Sequence, residues 1–325
     1  MKVGVVGCGH LGSIHARIWA EMPRAEFLGV QDTDAARAEA VVEKHGGRAY
    51  GSLEELAAEA EALSVCVPTP AHAEVVSRAL AGGCHVLVEK PIASSVEEGE
   101  RMIREAAAAG KQLMVGHVER FNPAMLAAMG ELKKPGFVES IRIAPFVSRG
   151  SDVPVVLDLM IHDIDLLCML LDDEPESLDA AGIPVLTPDV DIANVRLRFK
   201  GGCVANLTAS RISLKRERKI RFFQPDSYLM VDLMDRRVLR IAKGEGFEGA
   251  VARALMDPSS LEGLKMESLI EEGELPLPEG EPLGLELSAF HQALEEGRRP
   301  PVTGEDGLRA LKVAQWILEQ VRSHA

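Results

Sequence analysis

An apolar run, Val155 to Leu171 (VVLDLMIHDIDLLCMLL), carries Asp158, His162, Asp163 and Asp165. A buried helix does not accept ionisable groups without a use for them, because taking each out of water is costly. Taking Asp158 as zero on a helix of 100° per residue, His162 falls at about 40° and Asp165 at about −20°. Asp163 falls about 140° away, which leaves it structural or solvated. The spacing therefore predicts one stripe of Asp158, His162 and Asp165. A carboxylate and an imidazole on one stripe can move protons, since imidazole titrates near neutral pH. A divalent cation is the competing use of the stripe, but with so few local ligands no metal is expected.

A second group lies at the N-terminus. Gly7, Gly9 and Gly12 form G-x-G-x-x-G in GVVGCGHLGS, after a β-branched run and ahead of helical spacing. Such glycines allow a tight turn and let backbone N–H groups reach a pyrophosphate at the positive end of a helix. His10 and Leu11 sit inside this loop and are counted among its cofactor contacts. Asp32 lies 20 residues beyond Gly12, at the end of the second strand. A carboxylate there would accept from ribose hydroxyls and repel a 2′-phosphate, so NAD is expected rather than NADP. In HVLVEKPIA, Glu89, Lys90 and Pro91 stand where a buried strand leaves its sheet. Ligands of doubly wound sheets sit outside the carboxyl ends of strands, which would bring Lys90 beside the nicotinamide.

The elements that must position these groups come in two styles. Up to about residue 120, short β-branched runs alternate with helical patterns ending at glycine, the mark of βαβ units on a parallel sheet. After Pro123 the rhythm changes. The 155–171 helix precedes strand-like runs (NVRLRFKGGCVANLTAS, KIRFFQ, YLMVDL, RVLRIA), and Lys200–Gly202 reads as the turn of an antiparallel hairpin. From Gly244 to Gly284 the pattern weakens into an expected loop or exposed segment. Two helices close the chain. The expected fold is α/β: a Rossmann domain over 1–121 with a doubly wound parallel sheet, and an α+β domain over 122–325.

The 325 residues suit two domains, and 46% hydrophobic with 26% charged residues is ordinary globular composition. A net charge of −14 argues against nucleic-acid or anionic-membrane partners. MKVGVVGCGH enters a strand at once, so no signal peptide is expected, and no run suits a membrane span. The five cysteines are scattered and form no CxxC pair. A reduced, cytoplasmic protein is the expectation.

These motifs resemble the Gfo/Idh/MocA family of sugar and polyol dehydrogenases. EKP after a Rossmann half resembles its strand-end lysine motif. VPTPAHAEV (Val67 to Val75) resembles its loop along the cofactor, which adds Pro68, Thr69 and His72, with Glu89 and Lys90, to the implied cofactor contacts. GHVERFNPA (Gly116 to Ala124) resembles its crossover into the second domain, and AFHQALEEGRRPPVTGEDGLRAL its closing helices. DLMIHDID resembles its D-x-x-x-H catalytic helix, which faces the nicotinamide in that family. The resemblance implies Lys90, His162 and Asp158 as catalytic residues, with either His162 or Lys90 as the base. It also implies an open, mostly antiparallel C-terminal sheet and a last helix (about 304–323) packing back toward the Rossmann domain. A homo-oligomer through that sheet is implied as well.

GHVERFNP and APFVSRGSDVPVVLDLMIHDIDLL (Ala144 to Leu167) resemble the nucleotide-sugar branch, whose UDP-N-acetylglucosamine members oxidise the sugar 3-hydroxyl for surface glycans such as lipid A. The substrate contacts so implied are Lys90, Glu119, Arg120, Asn122, Arg149, Asp158, His162 and Arg211, the two later arginines being candidates for a diphosphate. Lys215 and Arg216 read as a solvated sheet edge. The family often has glycine where this helix has Met160, which would reshape the pocket. A dehydrogenase of a free sugar or polyol such as myo-inositol would share Lys90, Asp158 and His162 without needing those cations. A non-catalytic NAD-binding regulator would keep the glycines but have no use for Lys90 and His162.

Overall fold

The structure, a computed structural model, describes residues 1–147, 153–256 and 269–323. Its elements run β1 (Lys2–Val6), α1 (His10–Glu21), β2 (Glu26–Gln31), α2 (Ala35–His45), β3 (Arg48–Tyr50), α3 (Leu53–Glu59) and β4 (Ala62–Val65). They continue with α4 (His72–Ala81), β5 (His85–Glu89), α5 (Val96–Ala109), β6 (Leu113–Gly116), α6 (Pro123–Met129) and β7 (Phe137–Ile143). A π-helical turn, Val156–Met160, leads into α7 (Ile161–Leu171). Then come β8 (Pro175–Ile183), β9 (Ile192–Phe199), β10 (Val204–Ser210), β11 (Glu217–Phe223), β12 (Ser227–Asp232) and β13 (Arg237–Lys243). Last are α8 (Phe247–Met256), β14 (Ile270–Glu274), α9 (Pro282–Glu295) and α10 (Gly304–Ser323).

The chain divides into two compact units. The first takes Met1–Phe121, Ile164–Leu166 and Gly280–Trp316, and the second takes the remainder of the described residues. The break after residue 121 is where the rhythm of the sequence changes. The assignment of everything beyond it to the second domain differs from what is found, because α9 and most of α10 belong with the first unit. Thr303 bridges Met114 of β6, and the Val115 amide donates to Val302 O at 3.2 Å. A Cβ on Gly307 would lie 2.6 Å from a Val115 methyl, so only glycine lets α10 come this close to the strand. Leu287 and Phe290 of α9 are fully buried.

The first unit holds a parallel sheet in the order β3-β2-β1-β4-β5-β6. Its central strands are mostly apolar because helices cover both faces; all four residues of β4 are buried, Ser64 among them as the partner of the Trp19 indole N–H. Three of its helices start on side-chain caps that satisfy orphan amides: Asp34 for α2, Ser52 for α3 and Ser95 for α5. The strand order reverses between β1 and β4, and the carboxyl ends there form the crevice that such folds use for ligands.

The second unit holds a sheet in the order β14-β13-β12-β11-β7-β10-β9-β8. Its pairs are antiparallel except β7 with β10. The expected hairpin joins β9 and β10, with Gly202 in the left-handed region (φ 92°) at the turn. Alternation is clean in β9, where Ala193, Val195, Leu197 and Phe199 face inward and are almost fully buried. Two elements appear where a loop was expected. The first is α8. The other is β14, an edge strand exposed along its whole length, whose Glu271 and Glu274 pair with Arg240 and Arg237 of β13. With both faces polar, β14 leaves no hydrophobic period to read.

Candidate functional site

Around the glycine loop, geometry matches the needs of a bound dinucleotide. Gly7 takes φ 93°, and its Cβ would lie 2.8 Å from the Cys66 backbone. A Cβ on Gly12 would fall 1.7 Å from Gly7 O, so α1 packs on the loop only with glycine there. Gly9 is the N-cap of α1 and offers no side-chain cap. Nothing lies within 4 Å of where a Gly9 Cβ would be. With no side chain at Gly9, the chain at the start of α1 leaves room for a close approach of a phosphate to a helix N-terminus. His10 and Leu11 are exposed beside it. At the end of β2, Asp32 accepts the Cys8 amide at 2.6 Å and the Asp34 amide at 2.8 Å, which fixes the carboxylate's orientation. Burial, with the Asp32 charge, pushes the neighbouring Cys8 thiol up to about 12. These groups fit a dinucleotide whose ribose would meet Asp32.

Lys90 leaves the carboxyl end of β5 half-buried, through a cis peptide to Pro91. Behind it lies a buried polar cluster within the first unit. Glu89 meets His15 of α1 at 2.9 Å, and His15 has no exposure at all. Burial works against the Glu89 charge, but the His15 hydrogen bond and the nearby Lys90 outweigh it and hold the carboxyl below its ordinary range. His117 follows β6, with its Nδ1 3.8 Å from Asp165. Burial lowers its pKa, with Asp165 opposing the shift and Arg120 and Lys90 adding to it. His72 bridges two backbone carbonyls, Pro91 O and Val67 O, at 2.9 Å each. Its ring therefore faces the protein rather than the open loop. Pro68 and Thr69, just before it, lie at the protein surface.

Several residues expected at the substrate turn inward instead. Arg120 is 8% exposed and grips Asp165 with two hydrogen bonds of 2.7 and 2.6 Å. Asn122 is the N-cap of α6 and donates to Leu233 O at 3.0 Å. Glu119 is buried, at 5% exposure. In the second unit Arg211 is buried, with its Nε 3.7 Å from Asp191 and a further hydrogen bond to Val153 O. Arg149 lies outside the described residues. Lys215 is exposed and paired with Glu217, as its solvated reading implies.

The acidic run is not one regular α-helix. The amides of Leu157 and Asp158 both return to Pro154 O, and the π turn ends at Met160. Wide i→i+5 turns recur at functional sites, and one here offsets Asp158 from a count at 100° per residue. The predicted stripe therefore does not carry unchanged across Met160. Asp158 and His162 are both half-buried in the second unit. Asp163 is structural, not solvated: at 2% exposure it holds Arg142 of β7 through bonds of 3.0 and 2.8 Å. Asp165 is the Arg120 partner already described. One buried acid escaped the sequence reading altogether. Glu286 of α9 has no exposure, and neither oxygen finds a hydrogen-bond partner among the described residues. Its only advance signal is an acid at a core-facing position of an amphipathic helix.

Residues 1–117 match the model of an oxidoreductase family with an NAD-binding Rossmann fold, and residues 145–224 match the GFO/IDH/MocA C-terminal domain. The chain is 36% identical to a UDP-N-acetylglucosamine 3-dehydrogenase of Acidithiobacillus ferrooxidans, over 76% of this chain and 78% of that one. It is 27% identical to a myo-inositol 2-dehydrogenase of Thermotoga maritima, over 99% and 98% of the two chains. The solved structure of the Acidithiobacillus enzyme superposes with a TM-score of 0.88 at 31% identity, covering 99% of this chain and 98% of that one. With both of its parts matched, this chain belongs to the GFO/IDH/MocA family of NAD-binding oxidoreductases.

Proposed function

We propose that this protein oxidises a sugar hydroxyl to a ketone with NAD, and that its substrate is a UDP-N-acetylhexosamine attacked at C3. The observation that carries the activity is Lys90, presented at the carboxyl end of β5 on a sheet whose first loop fits a dinucleotide. NAD, when bound, would supply the hydride acceptor for the carbinol carbon. The chain's own residues then deal with the proton. In this reading His162 accepts it from the hydroxyl, with Asp158 on the preceding turn to orient the ring. Lys90 hydrogen-bonds the same oxygen and stabilises the negative charge it gains as the bond to hydrogen breaks. The opposite assignment, Lys90 as base, uses the same two groups.

The likeness to the Acidithiobacillus enzyme supports the nucleotide-sugar substrate. The full-length likeness to the Thermotoga enzyme, and an Arg211 engaged with Asp191 and Val153, favour a free polyol as the second reading. An NAD-reduction assay separates them across UDP-GlcNAc, its uronate, UDP-glucose, free GlcNAc and myo-inositol. Turnover is expected with UDP-GlcNAc, and turnover with inositol alone would sink the proposal. Lys90→Ala and His162→Ala are each expected to lower kcat by about 10²–10⁴-fold. Near-normal turnover in His162→Asn would remove His162 as the base.

A further inference from the structure

His72 opens α4 and is 1% exposed. Its Nδ1 lies 2.9 Å from Pro91 O and its Nε2 2.9 Å from Val67 O. Both partners are carbonyls, which only accept. One carbonyl belongs to the segment leaving β4, the other to the residue after Lys90. The ring thus ties together the segments that leave two neighbouring strands at their carboxyl ends. Burial lowers the ring's pKa and a neutral imidazole has one N–H, so one contact is a hydrogen bond and the other a close approach of the second nitrogen. The ring still cannot turn without disturbing both at once. The imidazole is rigid, so its breadth sets the distance between the two backbones.

We infer that His72 is a positioning residue for Lys90: it fixes the Pro91 carbonyl, and through it the backbone from which the Lys90 side chain extends. This rests on the reading of Lys90 as an active-site group. It reassigns His72 from a cofactor contact to a backbone tie. Displacing a reacting group by about 1 Å can lower a rate a hundredfold, so a tie of this kind acts on kcat rather than on cofactor affinity.

The test places His72→Phe, which keeps a flat ring without nitrogen donors, in the unaltered chain and in Lys90→Ala. Rates are followed by NADH absorbance, down to slow turnovers over hours, with the sugar that the assay above identifies. NADH affinity is measured by fluorescence. If His72 acts through Lys90, His72→Phe lowers kcat tenfold to a hundredfold alone and less than threefold more in Lys90→Ala. NADH affinity then stays within threefold. An equal loss in both backgrounds, unchanged kcat, or a tenfold loss of NADH affinity would each overturn the inference. Should His72→Phe not fold, His72→Leu, which also removes the ring nitrogens, is read in the same two backgrounds by the same criteria. Loss in Lys90→Ala without loss in the His72 variants removes this inference only. Near-normal turnover in Lys90→Ala removes the reading of Lys90, and this inference with it.

Discussion

Asp32 illustrates how a single side chain acquires a task from its backbone. Two amides, of Cys8 and Asp34, hold its carboxylate at the end of β2, where on the proposed function a ribose would bind. On the proposed NAD assignment, that charge rejects a 2′-phosphate. Asp32→Asn keeps a similar shape and an acceptor oxygen, so it isolates the charge. We expect it to narrow the preference for NAD over NADP by about tenfold or more, roughly 1.4 kcal/mol, in kcat/KM measured with each cofactor. An unchanged ratio would place the discrimination elsewhere. At this scale the glycine loop and Asp32 were legible because their geometry is local, within 26 residues of sequence. Arg120 and Asn122 were not. Arg120 turns inward because Asp165 waits 45 residues away, and no local spacing reveals that partner.

Among elements, the acidic helix is where sequence and structure diverge most usefully. Hydrophobic periodicity finds the helix but counts every turn alike, so it cannot show that Val156–Met160 is a π turn. Nor could it tell that Asp163 faces β7. The β14 edge was missed because it carries no apolar stripe; α8 does carry one (Phe247, Ala250, Val251, Ala254), but the Pro-, Gly- and Glu-rich run between Glu271 and Gly284 masked it. The Arg142–Asp163 pair joins α7 to β7 with both side chains 3% exposed. Removing one partner of such a pair strands a buried charge. Asp163→Ala is therefore expected to lower stability by about 3–5 kcal/mol in urea titration. Replacing both together, Arg142→Met with Asp163→Leu, should recover most of that loss. If the double variant were no more stable than Asp163→Ala, the stranded-charge account would fail.

For the molecule as a whole, the first unit is assembled from three separate spans of chain. Glu286 records that assembly, since it comes from α9 yet feels Glu89 of β5 and Asp165 of α7. Burial first, then those two charges, push its carboxyl well above the ordinary range, with Arg120 offsetting part. A carboxyl raised on folding contributes its full stability below its unfolded pKa, about 4.3. That contribution is lost as pH rises through the folded value, by about 1.4 kcal/mol per pH unit over the interval. Glu286→Gln cannot ionise, so its melting temperature should pull ahead of the unaltered chain as pH rises from 5 to 8 and converge with it near pH 4. Parallel curves would show that Glu286 does not titrate in the fold. The same interleaving of spans bears on biosynthesis. The parallel sheet is translated by Gly116, but α10, which packs on β6, begins only 188 residues further on, since 304 − 116 = 188. At ordinary elongation rates that is roughly 10 to 40 s. Through that time the nascent sheet waits with the β6 side uncovered, the period in which a chaperone would have most to protect.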